Sequence, residues 1–273
     1  MADLNPPTHP AAAFARVSPA SLQPWVEEIW YSRGHLEVLT ERVLPSATAD
    51  IVANLGPAMR QEGAAGDARV VGTTVTGLLT RPMTLKHPVW HEALGLRLTP
   101  MGIRALLNVP VGEVLNACVP LSELLPLDEL VAAASHHASP RDALAAAVTW
   151  VTHRLSQRDG RGDRVAAWAA ERITALGGAL SIGALQERSG YSATRLTTRF
   201  RDEFGVTPKM FARLVRFRRA LDALDDDTDL AALALDLGLS DQPHLNREFR
   251  RFAGATPLEV LAARYPTGLT LAG

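Results

Sequence analysis

The feature that most constrains this chain is an internal repeat with an offset of 49 residues. Arg199-Phe200-Arg201 and Phe204-Gly205-Val206-Thr207-Pro208 recur as Glu248-Phe249-Arg250 and Ala253-Gly254-Ala255-Thr256-Pro257. Leu196 matches Leu245 and Ser192 matches Asp241 at the same offset. Further upstream the offset drops to 48, pairing Leu185 with Leu233 and Gly190 with Gly238, so the second copy holds one extra residue in its turn. Each copy reads as a helix, a glycine-containing turn, a capped second helix and a Gly-x-Thr-Pro stop. Each Thr-Pro pair supplies an N-cap and the first position of the next helix.

Two helices joined by such a turn form a helix-turn-helix unit. The first helix must bury an apolar side, here Ile182 and Leu185, and in the second copy Leu230, Leu233 and Leu237. Glycine suits the turn because a left-handed backbone is cheap only without a Cβ. The second helix must bury one stripe, Leu196, Phe200 and Phe204 in copy one and Leu245, Phe249 and Phe252 in copy two. Its opposite face stays polar. That face carries Thr194, Thr197, Thr198 and Arg201 with Arg195 on the rim, and in copy two Pro243, Asn246, Arg247 and Arg250 with His244 on the rim. Gln242 completes the candidate set. A major groove admits one helix, and its base edges are read by such groups: Arg on guanine, Asn or Gln on adenine, a Thr methyl on thymine. Arg201, Arg250 and Arg251 are placed to take phosphates, which set register rather than sequence.

Residues 164–265 resemble the DNA-binding region of the AraC/XylS family of bacterial transcription regulators. The run from Gly238 through Leu239-Ser240-Asp241-Gln242-Pro243-His244-Leu245-Asn246-Arg247 to Pro257 is similar to that family's signature nearly throughout. The resemblance implies two helix-turn-helix units joined by a long helix, about Pro208 to Leu224, carrying Arg216, Arg218 and Arg219. It also implies recognition helices entering successive major grooves on one face of the duplex, roughly 34 Å apart. Copy one departs from the family in its threonine-rich face, so copy two is expected to carry more of the base specificity.

The first half reads differently. Met1 to Leu22 reads as a flexible tail, and residues 23–158 as a β-rich domain with trailing helices. Leu94, Leu96 and Leu98 alternate on one face, Val71, Thr73, Val75, Gly77 and Leu79 form a second period-two set, and Asp50 to Gly56 is a short apolar run. A small antiparallel sheet or barrel fits. From Pro100 the pattern turns helical: Ser139-Pro140 opens a helix whose Leu144, Val148, Val151 and Leu155 form a seam expected to pack against its own domain, with pairing to another subunit as the alternative. A charged stretch, 157–163, divides the halves. Beyond it Val165, Trp168, Ala169, Ile173 and Leu176 share a helical face. The expected fold class is therefore α+β, a β-rich domain followed by an all-α one. Trp25 with Trp30, Leu44-Pro45 before Asp50 to Gly56, Gly95 to Pro100, and Val109-Pro110 resemble the cupin-like regulatory domain found on a subgroup of the same family. That resemblance implies a domain that senses a small molecule or mediates dimerisation.

Charge adds little, with 28 Lys+Arg against 29 Asp+Glu overall. The slight basic surplus after residue 164 does not by itself call for nucleic acid. No apolar run is long enough to span a membrane, nothing at the start reads as a signal peptide, and a single cysteine, Cys118, excludes an internal disulfide framework. These features lead to the expectation of a cytoplasmic protein. His87 and His91 sit four apart, but Pro88 lies between them, so the spacing suits a metal poorly. Cys118 reads as a buried, inert thiol, and no nucleophile elbow or phosphate-binding loop occurs. The expectation is thus a transcription regulator, activator or repressor, without catalytic residues, metal or cofactor. Its partner is double-stranded DNA, with a small-molecule effector, RNA polymerase and a second copy of the chain as further candidates. The competing readings are a partner-binding regulator of weak DNA affinity and an enzyme with a catalytic β-domain.

Overall fold

The computed structural model describes residues 13–36, 39–62, 68–125, 128–135, 139–157, 162–263 and 270–272. Ten strands open the chain: β1 (Ala13–Val17), β2 (Val26–His35), β3 (Thr40–Val43), β4 (Ala49–Asn54), β5 (Met59–Glu62), β6 (Ala68–Val71), β7 (Thr74–Thr76), β8 (Met83–Lys86), β9 (Trp90–Leu98) and β10 (Cys118–Pro120). Helix α1 (Pro100–Leu107) lies between β9 and β10, and α2 (Asp128–Ser135) and α3 (Pro140–Ser156) follow. The carboxyl-terminal half holds α4 (Arg164–Ala175), α5 (Ile182–Ser189), α6 (Ala193–Phe204), α7 (Pro208–Ala223), α8 (Leu230–Asp236), α9 (Gln242–Ala253) and α10 (Pro257–Ala262), then strand β11 (Thr270–Ala272). The fold is α+β, as expected.

The strands form two antiparallel sheets, ordered β1-β2-β9-β4-β7-β10 and β11-β3-β8-β5-β6. In the first sheet, register places Ile29 opposite Leu96, Tyr31 opposite Leu94, and Ile51 and Ala53 opposite Leu96 and Leu94 from the other side. This face is buried and shares one core with Ile103, Leu106, Leu130, Leu144, Ala147 and Val151 of α1–α3. Each large apolar side chain so buried contributes roughly 1.5–3 kcal/mol. Helix α3 packs on β1 and β2, so its apolar seam serves its own domain.

The opposite face of that sheet is polar. It carries Glu28, Trp30 and Ser32 of β2, His91 and Arg97 of β9, and Asp50 of β4, alternating with the buried set. Its His91 end lies toward the second sheet, within electrostatic reach of Glu41 of β3 and of His87. The second sheet supplies Val43, Met83 and Leu85, which gather with Leu79 and Cys118 in a small apolar cluster apart from the main core.

Three expectations need correction. The stretch read as a tail contributes β1, an edge strand paired along its whole length with β2 from Ala13↔Arg33 to Val17↔Ile29. Its Ala13, Ala15 and Val17 extend the face of Ile29 and Tyr31, a pattern too short to stand out in an Ala-rich sequence. The period-two set Val71 to Leu79 is not one strand. The chain turns at Gly72-Thr73 and passes from β6 in one sheet to β7 in the other. Leu176 is exposed, because the buried face of α4 is the smaller set Ala166, Ala169, Ala170 and Ile173. Most of the stretch read as the domain break, 158–161, lies outside the described residues.

Candidate nucleic-acid interface

The repeat folds twice into the same unit. Helix α5 ends at Gly190 with φ +70°, and the turn after α8 holds Gly238, also at +70°. One residue, Tyr191, separates Gly190 from the N-cap Ser192; two, Leu239 and Ser240, separate Gly238 from the N-cap Asp241. The shifted offset is that extra residue. Ser192 Oγ accepts the Arg195 amide at 3.4 Å and Asp241 Oδ1 the His244 amide at 2.7 Å. Both second helices stop at left-handed glycines, Gly205 (φ +70°) and Gly254 (φ +71°). Thr207 and Thr256 then cap α7 and α10, each with proline next.

The buried stripes are Leu196, Phe200 and Phe204 in α6 and Leu245, Phe249 and Phe252 in α9, none more than 1% exposed. Leu185, Leu233 and Leu237 pack behind them; the side chain of Ile182 lies outside the described residues. One position breaks the symmetry. Phe252 corresponds to Glu203, which is buried and accepts the Asp163 amide at 3.2 Å while facing Arg104 at 3.7 Å. Spacing alone could not show this, because a glutamate on a helix normally marks the solvent face.

On the opposite faces Thr194, Arg195, Thr198 and Arg201 are exposed, as are Gln242, Pro243, Arg247 and Arg250. Thr197, His244 and Asn246 are half-buried. The Arg195 guanidinium lies 4.9 Å from the centroid of the Tyr191 ring, an arrangement that steers it along the helix. Arg247 stays 64% exposed, its nearest carboxylate, Asp241, 3.9 Å away, too weak a contact to hold it. Asn246 departs from the expectation: its Oδ1 is buried without a hydrogen-bond partner. A bidentate contact to adenine needs both amide atoms, so Asn246 must change rotamer to make one.

Several charged residues that look available to a ligand are committed to the fold. At the repeat position shared by Arg199 and Glu248, each makes a lateral ion pair of opposite sense. Arg199 Nε reaches Asp163 at 2.8 Å, and Glu248 receives two donors from Arg213 at 3.0 and 2.6 Å. In α7, Arg216 and Arg219 donate to the carbonyls of Gly178 and Gly177, both at 3.2 Å, and Arg218 pairs with Asp222 at 2.9 Å. Asp229 caps α8, and Thr228 bonds back to Asp225. The Asp229 cap follows from its place before a helical run, but the arginine pairings were not legible in the sequence, apart from the reversed charge of Arg199 and Glu248, 49 residues apart.

In the β-domain, His91 bonds Ser32 Oγ at 2.7 Å and the Gly34 carbonyl at 3.1 Å, and burial pushes its pKa down. His87 pairs with Glu41 instead. Tyr31 donates to Glu92 at 2.6 Å, and burial together with that bond pushes its pKa up to about 12. Burial opposes the charge of Arg97, but Asp50 at 3.1 Å, Glu28 and Glu27 outweigh it and raise the pKa. Among the described residues no group of three His, Cys, Asp or Glu side chains could hold a metal ion. Cys118 is buried. No helix among the described residues is long and apolar enough to cross a membrane.

Two capped, outward-facing helices on a repeated helical scaffold, preceded by a two-sheet domain, define a class: the DNA-binding transcription regulators. A family model for a helix-turn-helix domain matches residues 185–263, and one for a domain of unknown function (DUF6597) matches residues 16–120. The carboxyl-terminal match is to a helix-turn-helix domain of the AraC type, and the second match falls on the β-rich half that precedes it. No curated protein matches the sequence. Among solved structures, an apo form of a ToxT variant from Vibrio cholerae aligns with a TM-score of 0.50 at 11% identity, covering 86% of this chain and 97% of that one. Unsaturated fatty acid bound ToxT from Vibrio cholerae aligns at 0.46 and 9%, covering 93% and 95%. The AraC-like transcriptional activator CuxR aligns at 0.25 and 15%, covering 78% and 95%. The first of these shows a shared fold.

Proposed function

We propose that the protein is a sequence-specific regulator that places α6 and α9 in successive major grooves of double-stranded DNA. The observation that carries this reading is the pair of exposed faces at repeat-equivalent positions, Thr194, Thr198 and Arg201 on α6 and Pro243, Arg247 and Arg250 on α9. Gln242, His244, Asn246, Arg195 and Thr197 complete the contact set. Arg201, Arg250 and Arg251 take phosphates, and Arg247 reads a base edge; threonine methyls of α6 favour thymine less sharply. Selection of bound duplexes from a randomised pool, followed by a salt series on the selected duplex, tests this. Phosphate contacts make log K fall with log salt by about 0.9 per contact. A flat salt response, or no enriched sequence, favours the partner-binding alternative.

The β-domain is the effector-sensing part in this reading. Support comes from the polar face of its first sheet, where Trp30, Ser32, His91 and the Arg97–Asp50 pair lie on the same side of β2, β9 and β4. A row of hydrogen-bonding groups beside an aromatic ring supplies the few polar contacts that orient a small organic molecule.

A further inference from the structure

The amino-terminal domain touches the two helix-turn-helix units at the same point of the repeat. Gly205 and Gly254, 49 residues apart, are the left-handed caps that end α6 and α9. At the first cap, the 3-10 turn Val111–Val114 packs so closely that a Cβ on Gly112 would lie 3.0 Å from Gly205 Cα, and one on Gly205 would lie 2.8 Å from Gly112 Cα. At the second, Arg42 of β3 donates from Nη2 to the Ala253 carbonyl at 2.9 Å, and a Cβ on Gly254 would lie 2.9 Å from the same atom. Arg42 therefore satisfies a carbonyl that the end of α9 leaves without an intrahelical partner. The second unit is held again through its continuation, since β11 pairs with β3 from Thr270↔Val43 to Ala272↔Glu41. Beside the first cap, Arg104 of α1 faces the buried Glu203.

We propose that these contacts form a two-point clamp, through which the β-domain sets the placement of one recognition helix relative to the other. The clamp holds the carboxyl-terminal ends of α6 and α9. It leaves Thr194, Arg195, Thr198, Arg201, Gln242, Pro243, Arg247 and Arg250 exposed. It thus acts by alignment and not by covering the groove-reading faces. The two grips come from different parts of the β-domain, the turn before β10 and strand β3, which lies in the other sheet. A shift of one sheet against the other is converted into a change in helix placement. The inference rests on the DNA reading only for its consequence, and the clamp itself is tested without DNA.

Spin labels at Asp202→Cys and Arg251→Cys, exposed positions 49 residues apart, in a Cys118→Ala background of the full chain report the separation of the two units. One narrow distance is expected. Arg42→Ala, and separately Gly112→Val, should broaden or shift it, and Arg42→Lys, which keeps a donor, should restore much of the native distribution. If Gly112→Val prevents folding, as judged by circular dichroism, Arg42→Ala carries the test, because it removes one hydrogen bond at a partly exposed site. An unchanged distribution in Arg42→Ala overturns the clamp. On selected duplexes, the loosened variants should lose at least half of the wild-type discrimination against half-sites moved apart by one base pair; an unaltered spacing preference overturns its role in alignment. A clamp that behaves as expected in a protein that selects no duplex overturns the DNA reading alone.

Discussion

Arg213 on α7 holds Glu248 on α9 through two donors, Nε to Oε2 at 3.0 Å and Nη2 to Oε1 at 2.6 Å, with both side chains less than one fifth exposed. The pair fixes the second recognition helix against the connecting helix. Its guanidinium also lies 5.2 Å from the centre of the Phe252 ring. Removing one partner of a buried pair costs about 3–5 kcal/mol, and an exposed pair contributes about 0–1 kcal/mol. For this intermediate site Glu248→Ala is expected to cost roughly 2–3 kcal/mol, read as a lowered denaturant midpoint of the full chain. A double-mutant cycle with Arg213→Ala should show strong coupling. The more exposed Arg199–Asp163 pair should give a smaller effect.

Arg247 separates base reading from simple phosphate attraction. Alanine there should weaken binding to the selected duplex by about 1–3 kcal/mol and relax preference at one base pair. A competition assay over all four bases at each position reads this out. Uniform weakening over every sequence would reassign Arg247 to phosphate. Arg201→Ala is expected to show that uniform behaviour and to shallow the salt slope by about one.

The pH response of the β-domain should carry the signature of His91. Burial holds its pKa below the ordinary value of 6.5, so between the two values the unfolded chain binds more protons than the folded one. Stability from this group is complete above about 6.5 and declines as pH falls below it. Thermal midpoints measured from pH 7.5 down to 5 should fall for the native chain and fall less for His91→Gln. Equal slopes would mean that other groups govern the response.

Gly95 tests the polar face of the first sheet. A Cβ there would overlap the indole of Trp30, so Gly95→Ala must displace the ring. Overpacking of this kind costs about 1–3 kcal/mol. The expected result is a lower melting temperature with a changed tryptophan emission, and loss of any effector response that the wild type shows.

The elements of the carboxyl-terminal domain were legible because their cues are local. N-cap residues, left-handed glycines and apolar stripes at helical spacing each act within a few residues. The β-domain was half legible. Leu94, Leu96 and Leu98 announce β9, but a period-two set cannot say that Val71 and Val75 belong to different sheets. Strand β1 escaped because an edge strand needs a partner and very little apolar pattern. Glu203 escaped because its burial depends on Arg104 and the Asp163 amide, both remote in the chain.

From the amino acids alone came the repeat, its turns and caps, and the outward direction of two side-chain sets, since backbone preference and helical period are properties of short segments. Tertiary structure alone decided which charges are spent internally, that Asn246 turns its oxygen away from solvent, and that Gly112 and Arg42 meet the repeat at matched points. Those facts depend on contacts between segments far apart in sequence, and the energy of an ion pair or a close approach exists only once the fold has brought both partners together.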